Sequence, residues 1–201
     1  MMPVRGSDPD RQLMRRLGRG DDDALALLVR RHSQRMLGVA SRLLGSAADA
    51  EDAVQRAFIR CHAHARAYRE EWSVTTWLYR ILTNICVDEI RRRRSRGEER
   101  AAGHEAGGES VPAKASGNGV ETRLDVQRAL ALVPNEARTL LVLRYVEGLS
   151  YGELARVRGI SVNTVKSQLK RGKTILKAAL SNGRRDTNPR RVRSRREEMA
   201  R

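Results

Sequence analysis

The segment Leu149–Leu180, LSYGELARVRGISVNTVKSQLKRGKTILKAAL, reads as two helices around a glycine-containing turn. Ser150 and Glu153 have the S-x-x-E spacing of a capping box, which starts a helix. Arg158-Gly159 is a basic residue followed by glycine, the pattern that ends one. Ser161 offers a second N-cap, and Val162, Val165, Leu169 and Leu176 continue one apolar stripe. Asn163, Thr164, Lys166, Ser167, Lys170, Arg171 and Lys173 occupy the other face. From Gly159 through Lys177 there are five basic residues and no acidic one. A short capped helix, a turn and a cationic second helix make a helix-turn-helix whose recognition helix begins at Ser161.

The rest of the chain agrees with a nucleic-acid partner. Forty basic against twenty-four acidic residues leave a net charge of +16 over 201 residues, which favours an anionic partner. Aromatic residues make up only 3% of the chain, which argues against large sheet cores and aromatic RNA-binding faces. Helix formers dominate and proline is scarce. The expected fold is all-α: two small helical domains joined by a flexible linker, the second being the helix-turn-helix. No run approaches the roughly 20 apolar residues of a membrane helix, and the N-terminus carries no apolar export signal. Cys61 and Cys86 sit in apolar helical contexts and read as small core residues. A cytoplasmic protein without membrane insertion is expected.

Composition shifts divide the chain. Residues 10–95 are dense in helix formers, and residues 96–120 (RGEERAAGHEAGGESVPAKASGNGV) have a linker composition with no apolar period. Periodicity returns over 121–181, and 182–201 form a basic tail expected to be disordered. In the first domain a helix is expected at 10–17 and another after the carboxylates Asp21–Asp23, ending at Gly45. Ser46 opens a third, on which Ala50, Ala53, Val54, Ala57 and Phe58 follow the helical period. The fourth covers 75–94, with Trp77, Leu78, Ile81, Ile85 and Ile90 inward. The second domain begins with 122–132. A helix over 136–147 follows, with Leu140, Leu143 and Val146 inward, and then the opening motif.

DAEDAVQRAFIR (residues 49–60), TTWLYRILTNICVDEIRRRR (residues 75–94) and the helix-turn-helix after a spacer together resemble a bacterial RNA polymerase sigma factor. The two-domain plan is similar to the extracytoplasmic-function (ECF) group. The resemblance implies a chain that binds core RNA polymerase and directs promoter-specific initiation by reading −10 and −35 elements. It also implies an anti-sigma factor that holds the protein in check by covering both DNA-binding faces. The helix resembling DAEDAVQ is the family's polymerase-docking element, which carries over to Asp49, Glu51, Asp52 and Gln55. The family usually places an acid after that glutamine, where this chain has Arg56.

The next element, AYREEWSVTTWLYRILTN, corresponds to the part that reads the melted −10 strand. Extruded bases need a pocket and the backbone needs cations. The loop 69–74 forms the expected pocket rim, Asn84 faces the non-template strand, and Arg80, Arg91, Arg92, Arg93 and Arg94 meet phosphates. Trp72, in the loop where the family often has a small residue, either stacks on a base or covers a helix junction. Trp77 and Tyr79 read as core. In the second domain Asn163, Thr164, Lys166 and Ser167 are the base-edge candidates, with Lys170, Arg171 and Lys173 on phosphates. Arg144 and Tyr145 brace the backbone from the preceding helix.

A single helix-turn-helix lacks the second half-site of a dimeric repressor. On the sigma-factor reading the second contact is the other domain, and polymerase sets the spacing, because a tether sets only effective concentration. The alternative is a stand-alone helix-turn-helix regulator, which would carry a sensor or dimerisation surface in residues 46–94. Cys61-His62-x-His64 is not expected to bind metal, since the three side chains cannot share one helix face. No nucleophile–base pair, phosphate-cradling loop or paired carboxylates appear, so neither catalysis nor a cofactor is expected.

Overall fold

The computed structural model describes residues 8–97 and 118–186. Among them lie eight α-helices, one short 3-10 turn and no strand. The helices are α1 (Pro9–Gly18), α2 (Asp22–Leu44), α3 (Ala47–Ala63), α4 (Val74–Ser95), α5 (Asn118–Ala131), α6 (Asn135–Tyr145), α7 (Tyr151–Arg158) and α8 (Val162–Asp186), with the 3-10 turn at Ala65–Ala67. α1–α4 pack into one unit and α5–α8 into a second. The body of the expected linker, 98–117, and most of the expected tail, 187–201, lie outside the described residues. α5 begins three residues inside the expected linker, and α8 runs five residues into the expected tail.

Side-chain caps set the element boundaries. Ser46 accepts from the Asp49 N–H at 3.3 Å and Ser73 from the Thr76 N–H at 3.1 Å. Each satisfies a donor that the first helical turn leaves without a partner. Gly45 (φ 74°) ends α2 in the left-handed region, a conformation that costs a side-chain-bearing residue about 1 kcal/mol or more. In the first unit α2 packs against α1, α3 and α4 around Leu28, Met36, Val39, Ala57, Leu78, Leu82 and Ile85, all essentially without exposure. Both cysteines point into this core, and burial pushes each thiol up to about 12.

The helix-turn-helix forms as its sequence requires. Ser150 Oγ accepts from the Glu153 N–H while the Glu153 carboxylate accepts from the Ser150 N–H at 2.8 Å, a complete capping box. Gly159 (φ 65°) makes the turn, and Ser161 caps α8 through the Thr164 N–H at 3.1 Å.

Two details of the second unit depart from the sequence reading. The buried stripe of α8 is Val165, Leu169 and Gly172, whereas Val162 is 39% exposed. A Cβ on Gly172 would lie 3.0 Å from Ala137 Cβ and 3.1 Å from Leu141 Cδ1, so glycine is what lets α8 approach α6. The helix expected over 136–147 stops at Tyr145. Before the turn through Gly148 (φ 73°), Val146, expected inward, is 45% exposed, and the Glu147 side chain is 4% exposed.

Candidate nucleic-acid interface

The loop before α4 is held from beneath by aromatic side chains. Tyr68 donates its hydroxyl to the Trp72 carbonyl at 2.6 Å and meets the Trp77 ring edge-on at 5.6 Å. Edge-to-face pairs of this kind favour one geometry over sliding contact. Trp77 is therefore a half-buried support at the rim of the core, and Tyr79 is fully buried. Trp72 is half-buried, with the Arg80 guanidinium 4.8 Å from its ring centroid.

Arg80, Asn84 and Arg91 follow one another at i, i+4 and i+11, which places them on one face of α4. All three are exposed. Trp72 thus joins a track of a polarised aromatic, an amide and cations. Asp88, also exposed, interrupts the cations of that face.

Arg93 is placed differently from its neighbours. Its guanidinium pairs with Asp49 and with Glu89 and donates to the Leu44 carbonyl at 3.2 Å. It ties α4 to α3 and to the end of α2 instead of facing outward. Arg92 pairs with Glu89, and that hydrogen bond holds the Glu89 carboxyl below its ordinary range. Burial pushes Asp49 upward, but the Ser46 cap and Arg93 outweigh it and leave the carboxyl low.

Four polar residues of α3 were candidates for docking, and the structure divides them. Glu51 and Gln55 line an open groove of about 710 Å³ between α2 and α3. Its floor is Leu25, Val29, Val54 and Phe58, and Ile59 is 60% exposed beside them. His62 and Asp22, 2.8 Å apart, stand at the end where α3 finishes and α2 begins. Asp49 instead faces Arg93, and Asp52 pairs with Arg56 at 3.2 Å. The apolar floor was not singled out in the sequence. Its signal is the exposed Ile59 in an otherwise regular amphipathic helix.

On α8, Asn163, Lys166, Ser167, Lys170, Arg171 and Lys173 are exposed and Thr164 is half-exposed. The Thr164 hydroxyl lies 2.8 Å from Ser161 Oγ, and Ser167 donates to the Thr164 carbonyl at 2.9 Å. These contacts fix the first turn, whose N-terminal end carries the positive pole of the helix. Two cations at the back are oriented by rings. Lys173 lies 5.1 Å from the Tyr145 ring centroid, and Arg144 lies 5.0 Å from that of Tyr151 while donating to the Leu149 carbonyl at 2.7 Å. Tyr151 had no role in the sequence reading, because its partner comes from the preceding helix.

Residues 28–96 match the family model of Sigma-70 region 2, and residues 123–176 match that of Sigma-70, region 4. The ECF RNA polymerase sigma factor SigW of Bacillus subtilis is 30% identical over 178 residues, spanning 83% of this chain and 94% of SigW. The ECF RNA polymerase sigma-E factor of Escherichia coli is 32% identical over 176 residues, spanning 83% of this chain and 92% of that protein. Among solved structures, CnrH in complex with the cytosolic domain of CnrY matches with a TM-score of 0.66 at 26% identity, covering 87% of this chain and 99% of CnrH. The sigma factor RpoE of Bartonella quintana, solved with the anti-sigma factor NepR, shares the fold at the same TM-score and 21% identity.

With these matches, the exposed polar face of α4, the open groove between α2 and α3 and the helix-turn-helix belong to a transcription-initiation subunit. The chain belongs to the ECF family of RNA polymerase sigma factors, and it directs promoter-dependent initiation. The region 2 match occupies the stretch where a stand-alone regulator would carry its sensor, so that alternative is not favoured. No helix among the described residues is long and apolar enough to cross a membrane.

Proposed function

We propose a division of labour among three surfaces of this sigma factor. The α2–α3 groove receives core RNA polymerase, with Glu51 and Gln55 as polar contacts and Ile59 as the apolar one. Asp49 and Asp52 support that surface through their pairs with Arg93 and Arg56. The track of Trp72, Arg80, Asn84 and Arg91 takes the melted −10 strand: Trp72 stacks on a base and Asn84 bonds a base edge. Arg92 adds to the cationic end of that track, and Arg93 shapes it from behind. On α8, Asn163, Thr164, Lys166 and Ser167 read the −35 duplex in the major groove, and Lys170 and Arg171 grip phosphates.

The observation that carries this reading is the Trp72–Arg80 pair on a loop pinned by Tyr68, with Asn84 one turn further along the same face. An aromatic ring backed by a cation suits an unstacked base, which duplex DNA does not present. The protein acts in the cytoplasm, performs no catalysis of its own and needs no cofactor. Both solved neighbours were captured with CnrY or NepR, and an anti-sigma factor covering both DNA-reading faces holds this chain likewise.

The test is a pull-down with purified core polymerase. Glu51→Ala with Gln55→Ala is expected to lose core binding while the fold and the affinity for bare DNA stay unchanged. Unchanged core binding would remove the groove from the account.

A further inference from the structure

α1 lies wholly ahead of residues 28–96, the stretch that matches region 2, and none of the three surfaces assigned above includes it. Its apolar side, Leu13, Met14 and Leu17, is buried. Both of its ends are fastened to α2. At the start, Asp10 accepts from Arg31 Nη1 at 2.6 Å and lies 2.8 Å from His32 Nε2. At the end, Arg16 Nε donates to Asp21 at 2.7 Å across the turn that leads into α2. An N-terminal element tied down in this way is a fixed platform.

What α1 holds in turn is the segment that leads to the loop before α4. Gly18 lies against that segment: a Cβ there would stand 3.6 Å from the Ala65 carbonyl oxygen. Arg66 Nε donates to the Gly18 carbonyl at 3.3 Å, and that carbonyl, in the last turn of α1, has no partner within the helix. Arg15 reaches further, to Glu70. Its Nε lies 2.7 Å from Oε1 and its Nη2 donates to Oε2 at 3.3 Å, so both carboxylate oxygens are engaged.

Glu70 sits where a grip controls the reading group. The Trp72 N–H donates to the Arg69 carbonyl at 3.1 Å, which makes residues 69–72 one tight turn with Glu70 and Glu71 at its centre. Tyr68 fixes the last residue of that turn through the Trp72 carbonyl, and Arg15 fixes the second through its side chain. Burial lifts the Tyr68 hydroxyl above its usual range, which keeps it a donor, and Arg11 and Arg15 of α1 are among the charges that act on it. Arg15 and Glu70 are each half exposed, so their pair adds little to the stability of the fold. Its effect falls on the loop. A turn that loses one of two anchors opens locally at small cost, and apparent affinity for a strand then falls with the fraction of molecules whose ring is in place.

We propose that α1 is the buttress of the strand-reading loop: Arg15, acting through Glu70, is a positioning residue that sets the Trp72 ring against the melted −10 strand. The inference rests on the strand-reading role given to Trp72 above.

The test uses holoenzyme assembled from the full chain and core polymerase, titrated with a fluorescein-labelled single-stranded −10 oligonucleotide and with its single-base variants. Arg15→Glu puts like charges beside each other at Glu70 and is expected to reduce discrimination among the variants by about two- to fivefold, the range of an exposed ion pair. Core binding and the melting temperature stay at wild-type values. A changed charge also alters phosphate attraction, but that acts on all sequences alike and cancels in the ratio. Glu70→Gln, which removes the pair without adding a like charge, repeats the loss. Arg15→Glu combined with Glu70→Arg restores discrimination, and Arg15→Lys, which keeps the charge but not the fork, retains part of it. In the free chain, hydrogen exchange at the Trp72 amide is expected to quicken by about the same factor in Arg15→Glu and to return in the charge-swapped chain. Wild-type discrimination and exchange in Arg15→Glu, or no recovery in the charge-swapped chain, would overturn the buttress. Unchanged discrimination in Trp72→Ala would instead overturn the strand-reading role of the ring, a failure distinct from that of α1 because it needs no change in Arg15.

Discussion

The proposed strand-reading face of α4 and the proposed recognition face of α8 meet different problems with different side chains. Beside α4 the proposed reading group is a large ring, Trp72 of the preceding loop, pinned by Tyr68 and backed by Arg80. On α8 the proposed reading groups are short polar side chains on a capped first turn, with cations behind them. A single strand offers the faces of its bases, so a stacking platform suits it. A duplex offers base edges in its grooves, and the major groove is wide enough to admit a helix that carries short polar side chains. The cations differ as well. Arg93 is consumed by Asp49, Glu89 and Leu44, and so shapes the surface, whereas Lys170 and Arg171 are exposed.

The largest effect that separates the two faces comes from packing. Gly172→Val places side-chain atoms against Ala137 and Leu141 and is expected to destabilise the α5–α8 unit by about 1–3 kcal/mol. A calorimetric scan should show the loss, accompanied by lost −35 binding with single-strand binding retained. Equal loss at both elements would mean the faces are not independent. Trp72→Ala is next. It is expected to cost about 1–3 kcal/mol on a single-stranded −10 oligonucleotide and nothing on a −35 duplex, by fluorescence titration. If both fall together, the ring covers a junction and does not stack.

Lys166→Ala and Ser167→Ala sharpen the duplex side. Each is expected to relax discrimination between −35 variants by about 1–3 kcal/mol when it reads a base edge. Lys170→Ala should instead weaken all sequences alike and reduce the salt slope by about one. The smallest effect concerns acid stability of the first unit. Glu89 is held low by Arg92, so its contribution is present above the ordinary carboxylate pKa and lost as pH falls through the lowered folded-state value. Glu89→Gln should flatten the decline of the melting temperature on acidification, and an unchanged decline would assign it to other carboxylates.

Local chemistry made most of the fold readable in the sequence. The caps at Ser46, Ser150 and Ser161 and the stops at Gly45 and Gly159 lie where the residues predict them, because each depends on neighbours in sequence. What escaped was set by partners distant in the chain. Arg93 looked like one more cation in a basic run, and only the approach of α3 and the end of α2 turns it inward. Glu147 had no role in the sequence reading, and its partner Arg35 lies 112 residues away. Glu51 and Asp49 are two residues apart, and helical geometry gives one to the groove and the other to α4.

Run-off transcription with purified core polymerase, on templates carrying both elements, either element alone or neither, tests the central claim most directly. The account predicts initiation that requires this chain, is strongest with both elements, and is lost with Glu51→Ala and Gln55→Ala together. No core-dependent initiation, with the chain instead binding duplex DNA as a dimer on its own, would contradict it.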